Sequence, residues 1–426
     1  MPTNTTRRAV LKKGIAAAVT SIPSLGYSLT KSLSQDSFKI GYISPQTGPL
    51  SAFAEPDSFT LEQIKKITTK GIISGGKKYT VEIIYKDSQS NAFRAGAIAS
   101  DLILNEKVDL ILASSTPVTT NPVADQCELY GVPCITNDTP WQPYFFGRHG
   151  NPKRGFKWTY HYFWGLEDIV STFTNLWTQI PTNKMIGTLW PNDDDGIAWG
   201  DARLGFPAVL SSKGFNIIDK GRFQIPNIDF SSFITEFRKT GVDIITGVIP
   251  PSVFTNFWNQ SAQQSFHPKI VTVAKATEFP TAIAAFGDRA IGLTVELMWS
   301  PGHPFNSSLT GQTSRQLADE YMAATGRPWM VTLGFKHSLF EVAIDSLKRA
   351  GGKNPEAIRD AISNTQLNTV VGPINFKVGP VPNVAKTLLV TGQWQRRGKN
   401  IDLVIVENSQ ALLIPKQAEL EVIKYN

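Results

Sequence analysis

From Phe38 onward the chain alternates short apolar runs with amphipathic ones, and that alternation restricts the folds open to it more than any other feature. Phe38–Ser44, Thr80–Lys86, Val108–Ala113 and Val132–Thr136 read as strands. Ser58–Thr69, Ala92–Asn105 and Asn121–Tyr130 between them carry apolar residues at helical spacing, and Gly131 stands where a helix would stop. Repeated strand–helix–strand units build a parallel sheet with helices on both faces. The pattern then resets after an aromatic connector, Tyr160–Gly165. Strands are expected at Lys184–Trp190, Gly214–Gly221, Val242–Val248 and Lys269–Val273. Helices are expected at Glu167–Gln179, Ala198–Ser212, Phe230–Lys239 and Ser252–Gln264.

Later segments are shared between the two runs: Ile291–Leu297, a Pro/Gly/Ser-rich loop at Ser300–Ser308, helices near Gln312–Ala324 and Phe335–Ala350, and strand-like stretches at Pro373–Phe376, Lys386–Gln393 and Leu403–Glu407. The expected fold is α/β: two doubly wound parallel-sheet lobes joined by a hinge of several crossovers. One lobe spans 36–162 and 296–369, the other 163–295 and 370–426. The 426 residues and the apolar share of 41% suffice for two such cores. Open α/β sheets bind ligands beyond the carboxyl ends of their strands, so a cleft between the lobes is the expected site.

The formal charge of +7 is concentrated at the amino terminus, where Arg7, Arg8, Lys12, Lys13 and Lys31 face no acid in the first 35 residues. The 42 bases less those five leave 37 against 35 acids. The body is nearly neutral, and no basic stripe argues for nucleic acid. A basic head before the short apolar run Gly14–Val19 marks an export signal, and adjacent arginines resemble the twin-arginine type. Residues 1–35 are read as that signal, with cleavage somewhere in 26–36. No cysteine nearby would carry a lipid anchor, so a lipoprotein is not expected. The apolar run falls short of the ~20 residues a spanning helix needs. Cys127 and Cys134 are either a bridge or two buried thiols; geometry decides.

Three loops following strands carry hydroxyl and backbone donors: Pro45–Leu50, Ser114–Thr120 and Asn137–Trp141. Each alone reads as helix capping; together on one sheet edge they form a candidate anion cradle. Aromatic residues crowd the same regions, among them Phe53, Trp141, Tyr162, Trp164, Trp190 and Trp199. Core packing claims about half; the rest suit an apolar or aromatic ligand body. Gly71–Lys78 imitates a phosphate loop, but it lacks the final Ser or Thr and the preceding strand, and is read as a surface turn. Asp193-Asp194-Asp195 is read as a solvated turn. Neither a metal-ligand spacing nor a nucleophile–base set is evident, so no cofactor, metal or catalysis is expected.

Several motifs resemble the type I periplasmic solute-binding proteins of the leucine/isoleucine/valine kind. Lys39–Leu50 is similar to the opening strand and Ser/Thr-Gly-Pro loop of that family, and Tyr85–Asn91 to its D-x-Q-S-(D/N) turn. Gly131-Val132-Pro133, Phe230–Phe233 before Val242–Ile245, and Val371–Phe376 follow in the family's order. The resemblance implies two lobes joined by three crossovers, closing on a solute that an ABC importer's membrane permease then receives, and a monomer. It places Phe53 as a lid, and Ser115, Thr116, Thr119, Asp138 and Thr139 where an α-carboxylate is held. Trp141 and Tyr162 stand nearby, Trp199 closes from the second lobe, and Glu278 lies near the acid that meets an α-ammonium. Lys275 beside Glu278, with Pro117 and Pro140 in the carboxylate loops, departs from the family's pattern. The expected solute is an amino acid, or an aromatic or other hydrophobic carboxylate or amide. The same fold also serves as a periplasmic ligand sensor subunit, which is the alternative role.

Overall fold

The computed structural model describes residues 36–225 and 229–425; the expected export signal, residues 1–35, lies outside them. Two seven-stranded sheets organise the chain. In spatial order the first holds Val384–Ala385, Thr159–Tyr162, Cys134–Asn137, Leu110–Ser114, Ser37–Ser44, Lys77–Asp87 and Ile72–Ser74. All neighbours are parallel except the last pair. The second sheet holds Asn400–Glu407, Val390–Arg397, Thr294–Leu297, Ile270–Ala274, Ile244–Val248, Met185–Leu189 and Asn216–Ile218. Its first two strands are antiparallel additions to a parallel core. Both sheets are therefore the expected parallel α/β sheets, with antiparallel strands only at an edge.

The central strands Leu110–Ser114, Ile244–Val248 and Ile270–Ala274 are buried at every residue, because helices cover both faces. The 18-residue helix Thr332–Arg349 lies against the first sheet and is almost wholly buried through Ile344. Gly334 in its first turn has a reason: a Cβ there would come within 2.4 Å of the Trp299 ring. The indole packs into that gap and donates to the Val370 carbonyl (3.1 Å).

The chain passes between the sheets three times, after Tyr162, after Leu297 and after Ala385. Two expected boundaries move as a result. Glu296 belongs to a second-sheet strand, and Val384–Ala385 pair with His161–Tyr162 in the first sheet, so the last crossing follows Ala385 rather than Thr369. Other local expectations shift for identifiable reasons. Part of the aromatic connector, Thr159–Tyr162, is a strand, since its backbone completes the ladder beside Cys134–Thr136. The helix expected over Ala198–Ser212 is two, Asp194–Trp199 and Phe206–Ser212, divided by a segment bounded by Gly200 and Gly205. The helix ending at Tyr130 begins earlier than expected, with Pro117 in its first turn, where no N–H is needed. The glycine-rich Gly71–Lys78 segment is a hairpin. Gly75 and Gly76 take φ of 56° and 77° between Ser74 and Lys77, as a two-residue primed turn demands. Cys127 and Cys134 are both buried and free.

Candidate functional site

The carboxyl ends of the two sheets face a cavity of about 300 Å³. Its charged lining comprises Asp138, Asp195, Lys275, Glu278 and Glu296, and its apolar walls include Phe53, Phe163, Trp164 and Trp199. Two aromatic contacts bring its sides together. Phe53, in the short turn Ser51–Ala54, meets Phe279 edge-on with centroids 5.1 Å apart. Trp164, on the first crossing, meets Trp199 at 6.5 Å.

Two of the charged groups open the loops that begin where strands end, while Asp195 lies on the helix Asp194–Trp199 and Glu296 in the strand Thr294–Leu297. Asp138 follows Cys134–Asn137 in the first sheet, and Lys275 follows Ile270–Ala274 in the second. Both adopt left-handed backbone, with φ of 62° and 63°. Asp tolerates that conformation; a lysine there is strained, and such strain concentrates at functional sites. Each is paired with a buried opposite charge. Asp138 Oδ2 lies 3.1 Å from Lys336 Nζ and accepts from Ser114 Oγ at 2.8 Å. Lys336 also donates to the Ser114 carbonyl (2.6 Å) and to Ser114 Oγ (2.7 Å). Lys275 Nζ donates to Asp195, on the helix Asp194–Trp199.

Burial raises every cavity carboxyl. It lifts Asp138 against the attraction of Lys336, and lifts Asp195 to about 6 against that of Lys275. Burial pulls Lys275 down, but Asp195 and Asp193 outweigh it and the ammonium keeps its proton. Glu278 is pushed far up, first by burial and then by the charge of Glu296. Burial raises Glu296 as well.

Of the ten expected site residues, Phe53, Asp138, Trp199 and Glu278 line the cavity. The other six do not. Thr139 Oγ1 donates to the Ser115 carbonyl (2.7 Å), tying two loops together. Thr116 stands at the N-cap of Pro117–Tyr130 without capping it, and Thr119 lies within the helix's first turn. Trp141 donates to Glu167 (3.1 Å) beside the first crossing. Tyr162 is held by Asn137 (2.8 Å) and Ser338 (2.7 Å). The expected turn at Asp193–Asp195 is corrected. Asp193 caps a helix by accepting from Gly196 N (2.8 Å), and Asp195 is buried at the cavity wall. Sequence reading passed over Asp195, Glu296 and Lys336; isolated charges inside otherwise apolar runs are the signal that marks the last two.

Among the described residues, no three His, Cys, Asp or Glu side chains converge so as to hold a metal ion, and no helix is long and apolar enough to cross a membrane. A family model described as periplasmic binding protein matches residues 37–396. The fold is similar to a leucine-binding protein from Thermotoga maritima MSB8, at 19% identity, covering 87% of this chain and 99% of that one, with a TM-score of 0.71. It is similar to an ABC-transporter solute-binding protein from Rhodopseudomonas palustris BisB5 in complex with 3,4-dihydroxybenzoic acid, at 19% identity, 88% and 97% coverage, TM-score 0.70. It is also similar to the branched-chain amino acid transporter substrate-binding protein of Streptococcus pneumoniae in complex with isoleucine, at 15% identity, 87% and 100% coverage, TM-score 0.67.

Proposed function

Since the chain belongs to the periplasmic binding protein family, we propose that it is the extracytoplasmic substrate-binding component of an ABC importer. It captures a small organic solute between its lobes and presents the closed form to the membrane permease. It works without catalysis, as a monomer, exported by the amino-terminal signal. The observation that carries this reading is the cavity itself: it lies at the carboxyl ends of both sheets, and residues of both lobes wall it. Its aromatic walls Phe53, Phe163, Trp164 and Trp199 are all buried, so a solute reaches it by the lobes parting and closing again. Three crossings provide the hinge. Similar structures hold isoleucine and a dihydroxybenzoate, which supports a small organic solute here.

A thermal-shift screen followed by small-angle scattering tests this. A solute at 100 times its Kd should add about 2.7 kcal/mol of stability. The same solute should reduce the radius of gyration as the lobes close. A solute that raises the melting point without changing the radius would refute closure.

A further inference from the structure

The cavity holds more carboxyl groups than its cations neutralise. Asp138, Asp195, Glu278 and Glu296 line it, against Lys275 in the wall and Lys336 behind Asp138. Both ammonium groups are committed, Lys275 to Asp195 and Lys336 to Asp138 and Ser114. In the loops expected to hold a carboxylate, the buried unpaired side-chain donors are the Ser115 and Thr116 hydroxyls, and neither residue lines the cavity. Pro117 and Pro140 have no N–H. The Thr119 and Thr120 amides are bound to the Thr116 carbonyl (3.2 and 3.1 Å). Asp138 places its own carboxylate against Ser114 and Lys336, where a solute's carboxylate would otherwise find its donors.

Among the residues lining the cavity, carboxylate oxygens are left unpaired, as are the indole N–H groups of Trp164 and Trp199. Oδ1 of Asp138 and Oδ1 of Asp195 have no hydrogen-bond partner, though the two residues are only 5% and 1% exposed. A buried carboxylate oxygen without a donor is costly, and a solute's N–H groups would relieve it. Trp164 and Trp199 belong to the same wall, and aromatic rings attract cations.

Taking the cleft as the solute site, we propose that its solute is an organic ammonium ion with an apolar or aromatic body and no carboxylate group. The ammonium is held by the cavity carboxylates, and the body lies among Phe53, Trp164 and Trp199. Glu278 Oε2 and Glu296 Oε2, also buried and unpaired, add to the acceptors the cation meets. The charged groups around that pair are Lys275 on the same loop as Glu278, Asp138 across the cleft, and Asp195 beside Lys275. Arg327, Lys399 and Asp402 flank Glu278 on the outer groove.

The test is titration calorimetry of the full chain with 2-phenylethylamine, tyramine and cyclohexylamine. Each is compared with its carboxylate counterpart: 3-phenylpropanoate, 3-(4-hydroxyphenyl)propanoate and cyclohexanecarboxylate. At least one amine should bind tenfold or more tightly than its counterpart. Glu296→Gln, which keeps shape and removes charge, should weaken that amine at least tenfold. Asp138→Ala should free Lys336 and Ser114 and strengthen carboxylate binding; if it fails to fold, Glu296→Gln decides. Tight carboxylate binding with silent amines overturns the ammonium assignment and leaves the solute site standing. An amine unaffected by Glu296→Gln overturns the assignment too. Silence from both series, with a scattering radius that no compound changes, overturns the assignment together with the solute-site reading beneath it.

Discussion

Lys336 Nζ lies 3.1 Å from Asp138 Oδ2, and both side chains are fully buried. The helix Thr332–Arg349 delivers the lysine and the loop after Cys134–Asn137 delivers the aspartate, so the pair pins a cleft loop to the core of its lobe. Removing one partner strands a charge in a dry interior, at about 3–5 kcal/mol. Lys336→Met should therefore destabilise by that amount in a denaturant titration. Lys336→Met with Asp138→Asn should cost clearly less, because no uncompensated charge remains. Equal costs would show that the pair is solvated in solution.

Glu278 sets a pH dependence with a definite sign. Its folded pKa is well above the ordinary 4.5, chiefly through burial and then through Glu296. A carboxyl raised in the folded state contributes stability that is complete below its unfolded pKa and is lost as pH rises toward the folded value. Glu278→Gln lacks that loss. Its melting temperature relative to the parent should climb as pH increases above about 4.5. A gap independent of pH would mean that Glu278 ionises freely in the folded chain. The comparison between variants matters here, because His161 and His303, lowered to about 3 by burial, push parent stability the opposite way between pH 3 and 6.5.

The two thiols should be inert in the folded state. Cys127 and Cys134 are fully buried, and burial lifts the Cys127 thiol well above its ordinary range, with Cys134 adding to the rise. Thiolate is the reactive form. Iodoacetamide at pH 8 should label neither without denaturant and both in it, read by intact mass. Labelling of the native chain would show that this region opens locally.

The hairpin at Gly75-Gly76 separates two costs. A Cβ on Gly75 would sit 2.3 Å from the Gly351 carbonyl, whereas one on Gly76 meets nothing within 4 Å. Gly76→Asn, a residue tolerant of left-handed backbone, should change stability by less than about 1 kcal/mol. Gly75→Ala adds a clash with backbone to a left-handed penalty of about 1–2 kcal/mol and should cost more than 2 kcal/mol. Thermal melts distinguish the two.

What was legible in the sequence is what local chemistry dictates. The 3.6 and 2.0 periodicities located most strands and helices to within a few residues. The reset near residue 163 announced a second sheet, the loops and crowded aromatics pointed to Phe53, Asp138 and Trp199, and the family resemblance alone pointed to Glu278. The carboxylate cradle looked equally legible, since Ser115, Thr116, Thr119 and Thr139 are the right residue types in the right loops. Only the packed structure shows Thr139 bound to the Ser115 carbonyl and Asp138 already holding Ser114 and Lys336. Likewise, Asp195 belongs to a run of three aspartates that reads as solvated. It is buried because its helix turns it toward Lys275, eighty residues away in the chain. Periodicity records which face of an element is apolar. The partner of a charge, its burial and hence its proton affinity depend on which surfaces the fold brings together, and those contacts are non-local. The sequence by itself therefore determined the two α/β lobes and the edge where the cleft lies, while the tertiary structure alone decided the cleft's charge, because desolvation and pairing exist only once distant segments meet.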